Sequence, residues 1–101
     1  MEKGDFIFLD CEGFKPLYLI TDVLPDGNIM AWSCPPCDNM THYYIDQFQE
    51  DLIPMNAILG VVIFNKQKQN KQSFILSNEE HSITISKNWI KQYSHYWQTI
   101  N

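Results

Sequence analysis

The first apolar run, Phe6-Ile7-Phe8-Leu9, follows Gly4-Asp5 and is aromatic and β-branched. That composition predicts a short strand. Cys11-Glu12-Gly13 reads as a turn. Leu17–Leu24 is apolar at both parities, with Leu17, Leu19 and Val23 on one face and Tyr18, Ile20 and Leu24 on the other. A strand so patterned is expected at the centre of a sheet, covered on both sides. Pro25-Asp26-Gly27-Asn28 is a strong turn signal, because proline pre-sets φ and glycine accepts the left-handed conformation. Ile29–Trp32 should therefore return antiparallel to the second strand.

Cys34-Pro35-Pro36-Cys37 ends that strand, since proline cannot donate to a ladder. Residues 38–52 carry two patterns. Met40, Tyr44, Phe48 and Leu52 recur at every fourth position, with Asp38 or Asn39 available as a cap, which favours a helix. The competing element is a strand at Thr41–Ile45, whose residues are strand formers. Ala57–Phe64 reads as a buried strand and Asn65–Lys71 as a polar hairpin tip. Ser73–Leu76 is the return strand, Asn78–His81 a loop and Ser82–Ile85 a short strand. Ser86 is a helix N-cap. Beyond it Trp89, Tyr93, Tyr96, Trp97 and Ile100 share one helical face, with Lys87, Lys91, His95 and Gln98 on the other.

The opening segment is Lys3-Gly4-Asp5, an apolar strand, a glycine turn, a long strand, Asp26-Gly27 and a strand ending in Trp32. Over residues 3–33 it resembles the start of SH3-like small β-barrels. The expected fold is one α+β domain over residues 1–101. It comprises a small, strongly curved antiparallel sheet or SH3-like partial barrel of five to six strands, a middle helix, and a C-terminal amphipathic helix packed on the sheet. Barrels of that type usually bind proteins, peptides or nucleic acid, so the resemblance implies a binding role.

Charge narrows the partners. The net charge is −5, and all seven basic residues are lysine. Without arginine the chain lacks the bidentate reader of phosphate and guanine, which speaks against a nucleic-acid target. Residues 1–64 hold two lysines against ten acids, a net −8, while residues 65–101 hold five lysines against two acids, a net +3. The longest apolar run, Ala57–Phe64, is far shorter than the roughly 18 residues of a membrane helix, so no membrane partner is expected. Met1–Phe6 does not read as a secretory signal. Three cysteines leave an odd one, which fits a reducing, cytoplasmic setting.

Candidate chemistry centres on Cys34 and Cys37. A Cys-x-x-Cys turn can bind one face of a tetrahedral zinc ion, and His42, Cys11 or His81 could complete the shell. Against zinc, Pro35 and Pro36 have no N–H groups to donate to the sulfurs. Residues 31–37 also resemble the active-site segment of thioredoxin-like proteins, which implies Cys34 as nucleophile and Cys37 as resolving thiol. The expected role of the pair is structural, flanking a rigid corner. His81, next to Glu80, is expected to favour its imidazolium. No nucleophile elbow, phosphate loop or paired metal knuckle occurs, so no catalysis is expected.

Fourteen per cent of the chain is aromatic, more than one small core need hide. Trp32, Tyr43 and Tyr44 near the diproline corner are the candidate binding residues. A homodimer using Ala57–Phe64 or the last helix would absorb the surplus otherwise. The expectation is a small cytoplasmic binding or adaptor protein acting through a protein–protein surface. Its profile fits an accessory protein of a phage or mobile element. The alternative is a thiol-active or zinc-binding protein built on the Cys34–Cys37 motif.

Overall fold

A computed structural model of the chain describes residues 1–11, 15–36, 41–45 and 49–93. The described residues form two sheets and one short helix. The first sheet comprises β1 (Phe6–Leu9), β2 (Leu17–Val23), β3 (Ile29–Cys34), β5 (Glu50–Ile53) and β6 (Ile58–Val62). Its order is β5-β3-β2-β1-β6, antiparallel throughout. The second comprises β4 (His42–Ile45), β7 (Lys66–Gln69), β8 (Ser73–Ser77) and β9 (Ser82–Ser86), in the order β4-β9-β8-β7. Here β4 and β9 run parallel and the other pairs antiparallel. Helix α1 (Lys87–Gln92) follows β9.

The β2–β3 hairpin forms where the turn residues predict it. Gly27 holds φ +90°, a conformation that favours glycine. The Asp26 carboxylate accepts the Asn28 N–H at 2.9 Å, and Leu24 N–H donates to the Asn28 carbonyl at 2.8 Å.

The opposite edges of the first sheet, β5 and β6, are consecutive in sequence. Only Pro54 and the 3₁₀ turn Met55–Ala57 join them. A flat sheet of this order would hold its outer strands about 19 Å apart. The connection spans roughly 13 Å, so the sheet must curl. Two register shifts, at Ile20/Asp22 and Phe8/Leu9, supply the added local twist.

The curl buries one face of the sheet on itself. Ile7, Leu9, Ile20, Ile29, Ala31 and Ile53 form that cluster. The other face carries Phe6, Leu17, Leu19, Trp32, Cys34 and Val62. It meets Tyr43 and Ile45 of β4, Leu76 of β8, Ile83 and Ile85 of β9, and Trp89 of α1. Strand β2 is thus covered on both sides, with Leu19 and Ile20 both fully buried on opposite faces.

Several expectations are corrected. The fold is two β-sheets with one short C-terminal helix, not α+β with a middle helix, and not one curved sheet of five to six strands. Among the described residues of the 38–52 stretch, β4 and β5 form in place of a helix, β4 at the site of the competing strand, Thr41–Ile45. Tyr43 and Ile45 point into the core and Tyr44 outward, so a period of two overrides the four-residue spacing. Parallel pairing with β9 gives β4 a buried face that no local pattern shows. Met40 and Phe48, which carried the helical spacing, lie outside the described residues. Asn65–Lys71 is not all hairpin tip. Lys66–Gln69 pairs with β8, and the turn is set by Asn70, whose side-chain oxygen accepts from the N–H groups of Gln72 and Ser73.

The C-terminal helix starts as expected. The Ser86 hydroxyl accepts the Trp89 N–H, and Trp89 and Tyr93 face the core. Tyr96, Trp97 and Ile100 lie outside the described residues.

Candidate functional site

The aromatic surface expected at the diproline corner is not assembled. Trp32 is buried between the sheets, edge-on to Trp89 at 5.2 Å and to Tyr93 at 5.0 Å between ring centroids. Tyr43 is buried too, and its hydroxyl donates to the Lys15 carbonyl at 2.9 Å. Tyr44 remains at the surface on the outer face of the second sheet, packed edge-to-face on His42. Two of the three expected contact residues therefore stabilise the core.

The described members of the candidate metal and thiol set each have other surroundings. Cys34 is buried, and burial pushes its thiol far above the usual range, which disfavours a thiolate. Cys37 lies outside the described residues. The ring nitrogens of His42 meet the Ser82 hydroxyl at 2.8 Å and the Thr84 hydroxyl at 2.7 Å. This polar bridge ties β4 to β9. Cys11 packs in the other apolar cluster, across the first sheet from Cys34. Among the described residues no three His, Cys, Asp or Glu side chains converge as a metal site.

His81 differs from expectation. Its ring stacks on Phe8 and tilts against Tyr43. Burial lowers its pKa and outweighs the opposing pull of Glu80, while Lys15 adds to the lowering. The unfolded chain therefore takes up a proton before the folded one does. This contribution to stability is full above about pH 6.5 and is lost as the pH falls through the folded pKa. His81→Gln should flatten the dependence of Tm on pH between about pH 7.5 and 5, relative to the unsubstituted chain. Equal slopes for the two proteins would show that His81 does not carry the effect.

The first sheet leaves one edge of a different character. Strand edges invite pairing, and proteins usually guard them with charge or cover. Strand β5 carries Glu50 and Asp51, and β7 carries Lys66 and Lys68. Along β4, Tyr44 N–H donates to the Pro35 carbonyl and Tyr43 bridges Pro36. From Ala57 to Asn65, by contrast, no side chain is charged. Leu59, Val61 and Ile63 are 47%, 42% and 75% exposed. The expected buried strand is thus apolar on an open side.

The backbone of β6 is open as well. Ile20 N–H donates to Asp5 and Leu9 N–H to Pro16, so odd-numbered residues of β1 bond toward β2. Even-numbered residues of β1 then bond toward β6, as Asp10 N–H does to Ala57. In register, Gly60 and Val62 face β1, while Val61 turns its N–H and C=O groups outward, and Ile63, the next residue of the same parity, lies just past the end of β6. The Ile63 carbonyl accepts from the Asn78 side chain at 3.0 Å. No described strand pairs with the rest of that edge.

The C-terminal end of β6 opens into a cleft of about 450 Å³ between the two sheets. Phe6, Val62, Phe64 and Leu76 give it an apolar lining, and Asp5 and Lys66 add opposite charges. Phe6 and Phe64 meet edge-to-face at 5.3 Å. An extended chain laid along β6 would find backbone partners, an apolar row and a recess for a side chain in one place.

No described helix is long and apolar enough to cross a membrane. No protein-family model, curated protein or solved structure matches this chain, so β6 and its cleft are read from their own geometry.

Proposed function

We propose that this chain is a non-catalytic binding protein that docks an extended segment of a protein partner along β6. One observation carries the reading: β6 is an uncharged edge strand with outward Val61 backbone groups and exposed Leu59 and Val61 side chains, continued by exposed Ile63 just past its end. Main-chain bonds supply affinity in strand addition, and alternate side chains supply specificity. The bound segment places apolar residues at every second position beside the β6 row. One of its larger side chains enters the cleft lined by Phe6, Val62, Phe64 and Leu76.

A random peptide-display selection tests this on two immobilised proteins, the unsubstituted chain and Val61→Lys. Val61 is 42% exposed, so lysine can reach solvent without disturbing the core. Circular dichroism and Tm should match for the two. The unsubstituted chain should enrich peptides with alternating apolar positions, and Val61→Lys should not. Enrichment that ignores the substitution would refute β6 as the docking edge.

A further inference from the structure

We infer that the segment docked on β6 is β6 of a second copy of this chain, paired antiparallel about a two-fold axis at Val61. The inference rests on the reading of β6 as a docking edge and names its occupant. Three features of the strand are self-complementary.

The first is the absence of charge from Ala57 to Asn65, so two copies meet without repulsion along the paired strands. The charges on β5 and β7 would oppose the same pairing at those edges. The second is register. Centring on Val61 sets it opposite itself and sets Leu59 opposite Ile63 of the copy. All three exposed side chains then gain cross-strand apolar neighbours, and the two outward Val61 backbones satisfy each other. The Ile63 carbonyl keeps a second lone pair beside its bond to Asn78.

The third is the charge at the strand ends. Lys66 lies just past the C-terminal end of β6, where Asp5 also lines the cleft, and Asp10 is held at its N-terminal end by its N–H bond to the Ala57 carbonyl. Antiparallel pairing brings the Lys66 end of each copy to the Asp10 end of the other, twice. Parallel pairing would bring like ends together. The symmetric arrangement is isologous and closes at two subunits, so it does not propagate into a filament.

Sedimentation velocity over a range of protein concentrations is the first test. The unsubstituted chain should show a concentration-dependent dimer, and Val61→Lys should weaken it by at least about tenfold while keeping its fold. Cysteine cross-linking then reads the register, with disulfides located by peptide mass mapping because Cys11, Cys34 and Cys37 are also present. Opposed Val61 Cα atoms sit about 5.5 Å apart in a hydrogen-bonded pair, within disulfide reach. Val61→Cys should therefore cross-link to itself. Ile63→Cys lies about 14 Å from its own copy and should pair only with Leu59→Cys in a mixture.

A single monomeric species at every concentration would overturn the inference, as would a dimer that Val61→Lys leaves intact. Self-linking by Ile63→Cys in place of Val61→Cys would overturn the register. Monomeric protein that still selects peptides through Val61 would refute the second copy while upholding the docking edge. Failure of both measurements would remove the edge itself.

Discussion

Trp32→Ala should cost about 3–5 kcal/mol, the range for removing a buried aromatic side chain. A domain of this size holds roughly 5–15 kcal/mol in total. Each kcal/mol moves Tm by roughly 4–8 °C, so the shift should reach tens of degrees. The size follows from position. Trp32 lies on the face of β3 that meets the second sheet, and its ring is edge-on to both Trp89 and Tyr93. Its loss leaves a void where three elements converge, and the two partner rings lose their contacts together. Urea denaturation measures the change. A loss below about 1 kcal/mol would mean that the indole is a surface group and that the packing described here is wrong.

The second large effect is expected at Tyr43, where two substitutions separate two contributions. Tyr43→Ala removes a ring that is 1% exposed and should also cost about 3–5 kcal/mol. Tyr43→Phe keeps the ring and removes only the bond to the Lys15 carbonyl. That change should cost about 0.5–1.5 kcal/mol, with more if the carbonyl loses water as well. Comparable losses for the two variants would place the stabilisation in the hydroxyl and contradict the packing account. Neither substitution should alter peptide selection by the protein that remains folded, because Tyr43 is buried and is not among the residues that line the cleft beside β6.

The local signals that proved informative were those with a backbone mechanism. Pro25-Asp26-Gly27-Asn28 demanded a turn, and Gly27 adopts the positive φ that its position implies. Ser86 followed by an apolar face marked a helix start, and its hydroxyl accepts the Trp89 N–H. The misread stretch, 38–52, holds two interleaved periodicities. Within it the competing strand, Thr41–Ile45, is the one that forms; β5 pairs with β3, and β4 pairs in parallel with β9, some forty residues later. No local pattern contains that partner.

The candidate site was legible in part. Ala57–Phe64 stood out as a strand and as one of two candidate dimer segments. Its exposure did not, because an all-apolar strand carries no alternation to mark which face is open. The edge position of β6 follows from the short Pro54–Ala57 link between opposite sides of a curled sheet, a consequence of topology. Trp32 and Tyr43 were misassigned to a surface for a related reason. Aromatic content predicts burial area but not which rings are spared; Tyr43 turns from β4 into the space between the sheets, where Trp32 packs on Trp89 and Tyr93. His81 followed burial against Phe8 more than its neighbour Glu80, again a contact between distant strands.

The role of β6 is tested most directly by amide hydrogen exchange, residue by residue, in dilute protein and with its occupant bound. The occupant is either a selected peptide or a second copy at high concentration. In dilute protein Gly60 and Val62, bonded to β1, should exchange slowly, and Val61 and Ile63 should exchange as open amides. On binding, the Val61 and Ile63 amides should slow by at least about tenfold while the rest of the sheet is unchanged. Unchanged exchange at these two amides, with new protection along β5, β7 or the outer face of the second sheet, would contradict the assignment of β6 as the docking strand.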